Sequence, residues 1–125
     1  MKPPAFPPVP PALDALAFAR LVELDPSGQS GVVQRVLATF ETALQRQLAE
    51  AQVALDSGNF NELGRLAHTV KSASAAVGAL RLSGLCAEVE VAVRQQALDT
   101  AAQKAPLLLE EGRQALAAVR AMLRT

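Results

Sequence analysis

The chain has neither tryptophan nor tyrosine, and its four aromatic residues are all phenylalanine. Platforms for stacking unpaired bases are therefore few. Twelve Lys and Arg are matched by twelve Asp and Glu, for a formal net charge of +0. A balanced chain lacks the positive footprint that binds a phosphate backbone, so no nucleic-acid partner is expected. No apolar run approaches the roughly 20 residues of a membrane-spanning helix, so no membrane partner is expected either. One cysteine, Cys86, cannot form an internal disulfide, and a reducing cytoplasm is the expected home. A small core residue is the expected role for Cys86, since nothing in its neighbourhood favours a thiolate. One His and one Cys without clustered carboxylates make no metal-ligand set. Gly-rich phosphate loops and Ser–His–Asp arrangements are missing as well.

Six of the eight prolines fall within the first eleven residues. Proline fixes φ and lacks an N–H, so residues 1–11 are expected to form an extended, solvated, flexible lead. The start of this lead is too proline-rich for the apolar stretch of a secretory signal. Residues 12–125 are expected to form one compact domain.

What the chain does have is helix-forming sequence. Half of its residues are apolar, mostly Ala, Leu and Val, and long runs mix them with Gln, Arg and Glu. Five helices are expected: about 12–24, 30–56, 59–77, 79–96 and 100–123. In the second, Val33, Val36, Leu37, Phe40, Leu44, Leu48, Ala51 and Leu55 recur at three- and four-residue steps, which makes one buried stripe. Ser57-Gly58 closes it. Asn59 suits the N-cap of the third helix, with Glu62 at the capping-box position, and Gly78 ends that helix. Pro106 is expected in the first turns of the fifth helix, or at a kink. Short loops make sequential helices antiparallel, so the expected fold is all-α: an up-down four-helix bundle with an extra short N-terminal helix.

His68 is the only histidine, and the only side chain that is a neutral nucleophile near pH 7 at its ordinary pKa. With Leu63 at zero and about 100° per residue, Leu66, Ala67, Val70, Ser74 and Val77 fall within about 60° of it. His68 falls about 140° away, which predicts a solvent-facing imidazole. Gly64, Ser72 and Ala75 stand at i−4, i+4 and i+7 from it, with Lys71 at i+3. Mid-helix glycine costs about 1 kcal/mol relative to alanine. Gly64 is therefore read as keeping ground clear beside the ring for another protein to approach. Lys71 would place a positive charge close to a phosphoryl group on the imidazole.

The stretch Ala67-His68-Thr69-Val70-Lys71-Ser72-Ala73-Ser74-Ala75-Ala76-Val77-Gly78-Ala79 resembles the signature of histidine-phosphotransfer (HPt) domains. The block Leu82-Ser83-Gly84-Leu85-Cys86-Ala87-Glu88-Val89-Glu90 is similar to that family's next helix, at the family's spacing. Ser72 stands where the family usually has Gly, Ala73 stands at a common Ser position, and Val70 and Val89 replace Leu. All are small or conservative changes.

The resemblance implies a phosphorelay carrier and not an enzyme. His68 would be the phosphoacceptor through Nε2. Lys71 would steady the phosphoryl oxygens, and Glu90 would orient the imidazole from the facing helix. Gly64, Ser72, Ala75 and Arg94 would serve partner access or docking. The implied partners are receiver domains of a hybrid histidine kinase and of a response regulator, met by a monomer. No cofactor is implied on this chain, and Mg²⁺ is expected on the partner receiver alone. Two alternatives remain open on sequence: an HPt-like bundle that binds receivers without being phosphorylated, and the phosphoacceptor domain of a chemotaxis-type kinase.

Overall fold

A computed structural model describes residues 6–124. Among these residues there are five helices and no strand: α1 (Ala15–Val22), α2 (Val32–Asp56), α3 (Phe60–Ala76), α4 (Leu80–Arg94) and α5 (Leu98–Leu123). Helices α2 to α5 close into a ring in which each packs on two neighbours. Cross-links show that successive helices run antiparallel. Along α3 and α4, Lys71 meets Ser83 and His68 meets Glu90. Along α4 and α5, Arg81 meets Glu111 and Glu88 meets Lys104. Along α2 and α5, Glu41 meets Arg120 and Gln52 meets Arg113.

The apolar stripes meet at the centre of this ring. Leu37 and Leu44 of α2, Leu63 of α3, Leu82 and Val89 of α4, and Val119 and Met122 of α5 are fully buried. Each large apolar side chain removed from water in this way contributes about 1.5–3 kcal/mol. Val36, Leu48 and Leu55 of the α2 stripe are only partly buried, packed against the edge of the core.

Three of the helices end alike. Asn59 N–H reaches Ala54 O at 2.8 Å and Gly58 N–H reaches Leu55 O at 3.2 Å after α2. After α3, Ala79 N–H bonds Ser74 O at 2.8 Å and Gly78 N–H bonds Ala75 O at 3.2 Å. After α4, Ala97 N–H bonds Ala92 O at 2.8 Å and Gln96 N–H bonds Val93 O at 3.0 Å. This is the paired closure that needs a left-handed residue just past the helix. Gly58 and Gly78 supply it, but at the third position the residue is Gln96, at φ 58°. With no glycine to mark this turn, α4 ends at Arg94, short of the expected 96, and α5 begins ahead of the expected 100. It starts at Leu98, after an Ala97 cap that makes no side-chain bond. Pro106 is the ninth residue of α5 and not in its first turn. Ala102, whose carbonyl loses an N–H donor to the proline, lies on the exposed side.

The N-terminal region is less solvated than its prolines suggest. Asp14 caps α1 by accepting Ala17 N–H at 2.9 Å, and its own N–H donates to Gly78 O at 2.7 Å. A Cβ on Gly78 would lie 3.2 Å from Asp14 O, so this glycine serves both the turn and the docking of α1. Phe18 of α1 is buried, and the Phe6 ring stands edge-on to it at 5.4 Å. Phe6 and Val9 pack against the core, which corrects the expectation of a wholly solvated lead. The remainder of that expectation, residues 1–5, lies outside the described residues.

The left-handed Gln96 gives a stability prediction. A side chain in that conformation costs roughly 1 kcal/mol, and glycine adopts it freely. Gln96→Gly is therefore expected to raise the unfolding free energy by about 0.5–1 kcal/mol in urea titration, with the slope unchanged. A loss of stability would show that the Gln96 side chain contributes more than its backbone costs.

Candidate functional site

The α3 face expected to be buried is buried: Leu63, Leu66, Ala67, Val70, Ser74 and Val77 all lie in the core. Asn59 caps the helix by accepting Glu62 N–H at 3.2 Å. The reciprocal half of the capping box does not form. Glu62 turns instead to Arg65, whose Nε donates to Oε2 at 2.9 Å while Nη2 meets Oε1.

With the stripe turned inward, His68 projects outward and its side chain is 67 % exposed. Its Nδ1 lies 2.5 Å from Glu90 Oε2 on α4. The other carboxylate oxygen, Oε1, accepts from Lys71 Nζ at 2.6 Å. One carboxylate therefore serves an imidazole and an ammonium one helical turn apart on α3. Glu90 is itself only 16 % exposed. The hydrogen bond from Lys71 is the largest influence on its carboxyl, pulling the pKa below the ordinary value of 4.5; burial opposes this and the bond to His68 adds to it. A carboxylate beside Nδ1 favours the tautomer with the proton on Nδ1, which leaves the Nε2 lone pair unprotonated.

The three residues expected at the centre of the site thus meet, although the Lys71 ammonium is engaged by Glu90 in this structure. Ser72 and Ala75 are exposed, and they line the outer face of α3 with His68. Arg94 is exposed near the end of α4 and forms no ion pair with Glu90.

Gly64 requires a correction. It is buried, not exposed, and a Cβ there would lie 3.0 Å from Val93 Cγ1. It permits a close approach of α4, so alanine would not simply improve the helix. One further contact was not foreseen: Ser83 Oγ donates to Lys71 O at 2.9 Å, tying α4 to α3 two turns before Glu90. A serine in a run of apolar residues gave no sequence signal for a partner twelve residues back. Cys86 lies fully buried, and burial pushes its thiol up to about 12, with the Glu90 charge adding to the shift. A thiol so far from ionisation is no nucleophile.

A family model described as the Hpt domain matches residues 35–123. The chain belongs to the Hpt domain family. Histidine-containing phosphotransfer protein B from Pseudomonas aeruginosa is 31 % identical; the match covers 91 % of this chain and 92 % of that one, at a TM-score of 0.70. Two plant structures share the Hpt fold at lower identity. A putative histidine-containing phosphotransfer protein from rice is 21 % identical with a TM-score of 0.73, covering 91 % of this chain and 81 % of that one. The maize protein ZmHP2 is 22 % identical with a TM-score of 0.77, covering 90 % and 84 %. Comparison with curated proteins gave no match. Among the described residues of this Hpt domain, no helix is long and apolar enough to cross a membrane. No group of three or more His, Cys, Asp or Glu among them could hold a metal ion.

The Glu90 pairing sets a pH dependence. A carboxyl whose folded pKa is depressed stabilises the fold above its unfolded pKa, and that contribution is lost as pH falls through the folded value. The His68–Glu90–Lys71 arrangement should therefore persist as pH falls to the ordinary carboxylate value and break below it. Because the Lys71 bond is the largest influence, Lys71→Ala should raise the Glu90 midpoint, followed by carboxyl ¹³C NMR, further than His68→Gln does. The reverse order would assign the carboxylate's stabilisation to the imidazole.

Proposed function

We propose that this Hpt domain is a phosphorelay intermediate that accepts a phosphoryl group on His68 from a receiver-domain aspartate and passes it to the aspartate of another receiver. The observation that carries the proposal is an exposed imidazole whose Nδ1 is held by Glu90 while Nε2 points away from that bond. The Nε2 lone pair attacks the phosphorus of an aspartyl phosphate, the acyl P–O bond breaks, and the aspartate leaves as a carboxylate. Positive charge that develops on the ring is shared through Nδ1–H with the Glu90 carboxylate, a charge-assisted hydrogen bond. The reverse reaction delivers the group onward, since both linkages are high in energy.

Lys71 is the residue assigned to steady the transferred oxygens. It is half-buried and one turn from His68, so its flexible stem can exchange one Glu90 oxygen for a phosphoryl oxygen. Ser72 and Ala75 keep the outer face of α3 low around the ring, where a receiver would dock, and Arg94 lies on the neighbouring helix for contact at the rim. The receiver brings its aspartate and its Mg²⁺, so this chain acts as a monomeric carrier and not as an enzyme in its own right. A reducing cytoplasm, where two-component receivers work, suits a chain with one buried cysteine.

Incubation with a phosphorylated receiver domain, in parallel with a chemotaxis-type kinase core and ATP, tests the assignment. Acid-labile, base-stable label from the receiver is expected on the wild type and its complete loss in His68→Gln, with the helical circular dichroism unchanged. Label taken only from the kinase core would identify a kinase phosphoacceptor domain. Receiver binding without label would identify a non-phosphorylated interaction bundle.

A further inference from the structure

Gly64 stands one turn before His68 on α3, and Val93 stands about one turn after Glu90 on α4. The two helices are antiparallel, so the contact between these residues lies one turn from the His68–Glu90 bond on each helix. There is no spare room in it. A Cβ at position 64 would meet Val93 Cγ1 at 3.0 Å and Val93 Cβ at 3.2 Å. Rotating the valine does not relieve this. Its χ1 is restricted in a helix, and its Cβ is fixed to the α4 backbone. With any residue larger than glycine at 64, this stretch of α4 has to move outward by a few tenths of an ångström.

The movement would not be uniform along α4. Two turns before Glu90, Ser83 is held to the Lys71 carbonyl at 2.9 Å. A push at Val93 with Ser83 fixed tilts α4 away from α3 at the end that carries Glu90. The second Glu90 oxygen is bonded to Lys71 at 2.6 Å, also on α3, so the tilt draws the carboxylate away from both partners together. The bond that the tilt lengthens is the Nδ1···Oε2 contact, 2.5 Å long here; as it weakens, the preference for the proton on Nδ1 falls with it.

We propose that Gly64 is a positioning residue for the phosphoacceptor: by lacking a Cβ it lets α4 approach until Glu90 holds His68 Nδ1–H and leaves Nε2 free. The helix-propensity cost of a mid-helix glycine is the counterpart of this approach. The consequence for transfer rests on the phosphoacceptor reading of His68, but the geometry can be tested in the free protein.

The experiment is histidine ¹⁵N NMR of the unphosphorylated chain for the wild type, Gly64→Ala, Val93→Ala and the double variant. His68 is the only histidine, so its two ring nitrogens are read without ambiguity. Gly64→Ala is expected to move the Nδ1 and Nε2 shifts toward each other, as the two tautomers mix. Val93→Ala alone should leave them in place. The double variant removes the nearest clashing methyl and keeps only the looser Cβ contact at 3.2 Å, so it should recover most of the wild-type separation. A folded Gly64→Ala with wild-type shifts overturns the proposal, and so does a change that Val93→Ala fails to reverse. If Gly64→Ala does not fold, the double variant decides: wild-type shifts support the proposal, while mixed-tautomer shifts or an unfolded chain overturn it. Should the shifts behave as expected in a protein that takes no phosphate from receivers, the relay reading fails and the positioning role stands.

Discussion

A single carboxylate joins the two helices at the exposed histidine of this domain. Glu90 accepts from the imidazole of His68 with one oxygen and from the ammonium of Lys71 with the other. Neither bond is available unless α4 lies against α3 at the right height and distance. Height is set by Ser83 on the Lys71 carbonyl and by the short closure at Gly78, which turns the chain back along itself. Distance is set where Gly64 meets Val93. Burial of the apolar stripes holds the bundle together, and the polar pair on its surface inherits a fixed geometry from that packing. A nucleophile presented on packed helices keeps its orientation better than one carried on a loop.

The same carboxylate bridges two neighbours one turn apart on α3, the imidazole of His68 and the ammonium of Lys71. Its negative charge lies between the Lys71 ammonium and the imidazole, and Lys71 keeps it ionised below the ordinary carboxylate range. Beneath it the charge has the opposite effect on Cys86, whose buried thiol is raised further from ionisation. Elsewhere in the core two buried oxygens, Ser74 Oγ and Glu111 Oε2, lack a protein hydrogen-bond partner; Glu111 has Arg81 3.7 Å from its other oxygen.

Periodicity made the bundle legible. The angular positions of Leu63, Leu66, Val70 and Val77 assigned the inner face of α3, and the outward direction of His68 followed from them. Helix stops were legible where a glycine supplied the left-handed residue, at Gly58 and Gly78. Gln96 performs the same turn without that signature, because the Ala97 and Gln96 backbone bonds impose it. Contacts between residues distant in sequence left no mark in composition or spacing. Asp25, for example, is buried and accepts Val32 N–H seven residues on, at 3.2 Å. Phe6 rests on Phe18 although prolines surround it. Gly64 is the instructive case: one sequence observation, a glycine beside the histidine, fits both open access for a partner and close approach of a second helix. Only the position of Val93 separates the two.

The central claim is that Glu90 fixes which imidazole nitrogen is free. It is tested most directly by the histidine ¹⁵N spectrum of the unmodified wild-type chain at about pH 8.5, where an ordinary imidazole is neutral. The account predicts a protonated Nδ1 and an unprotonated Nε2 in the dominant form. A dominant form with the proton on Nε2 would contradict it, since the nitrogen facing solvent would then have no lone pair to offer.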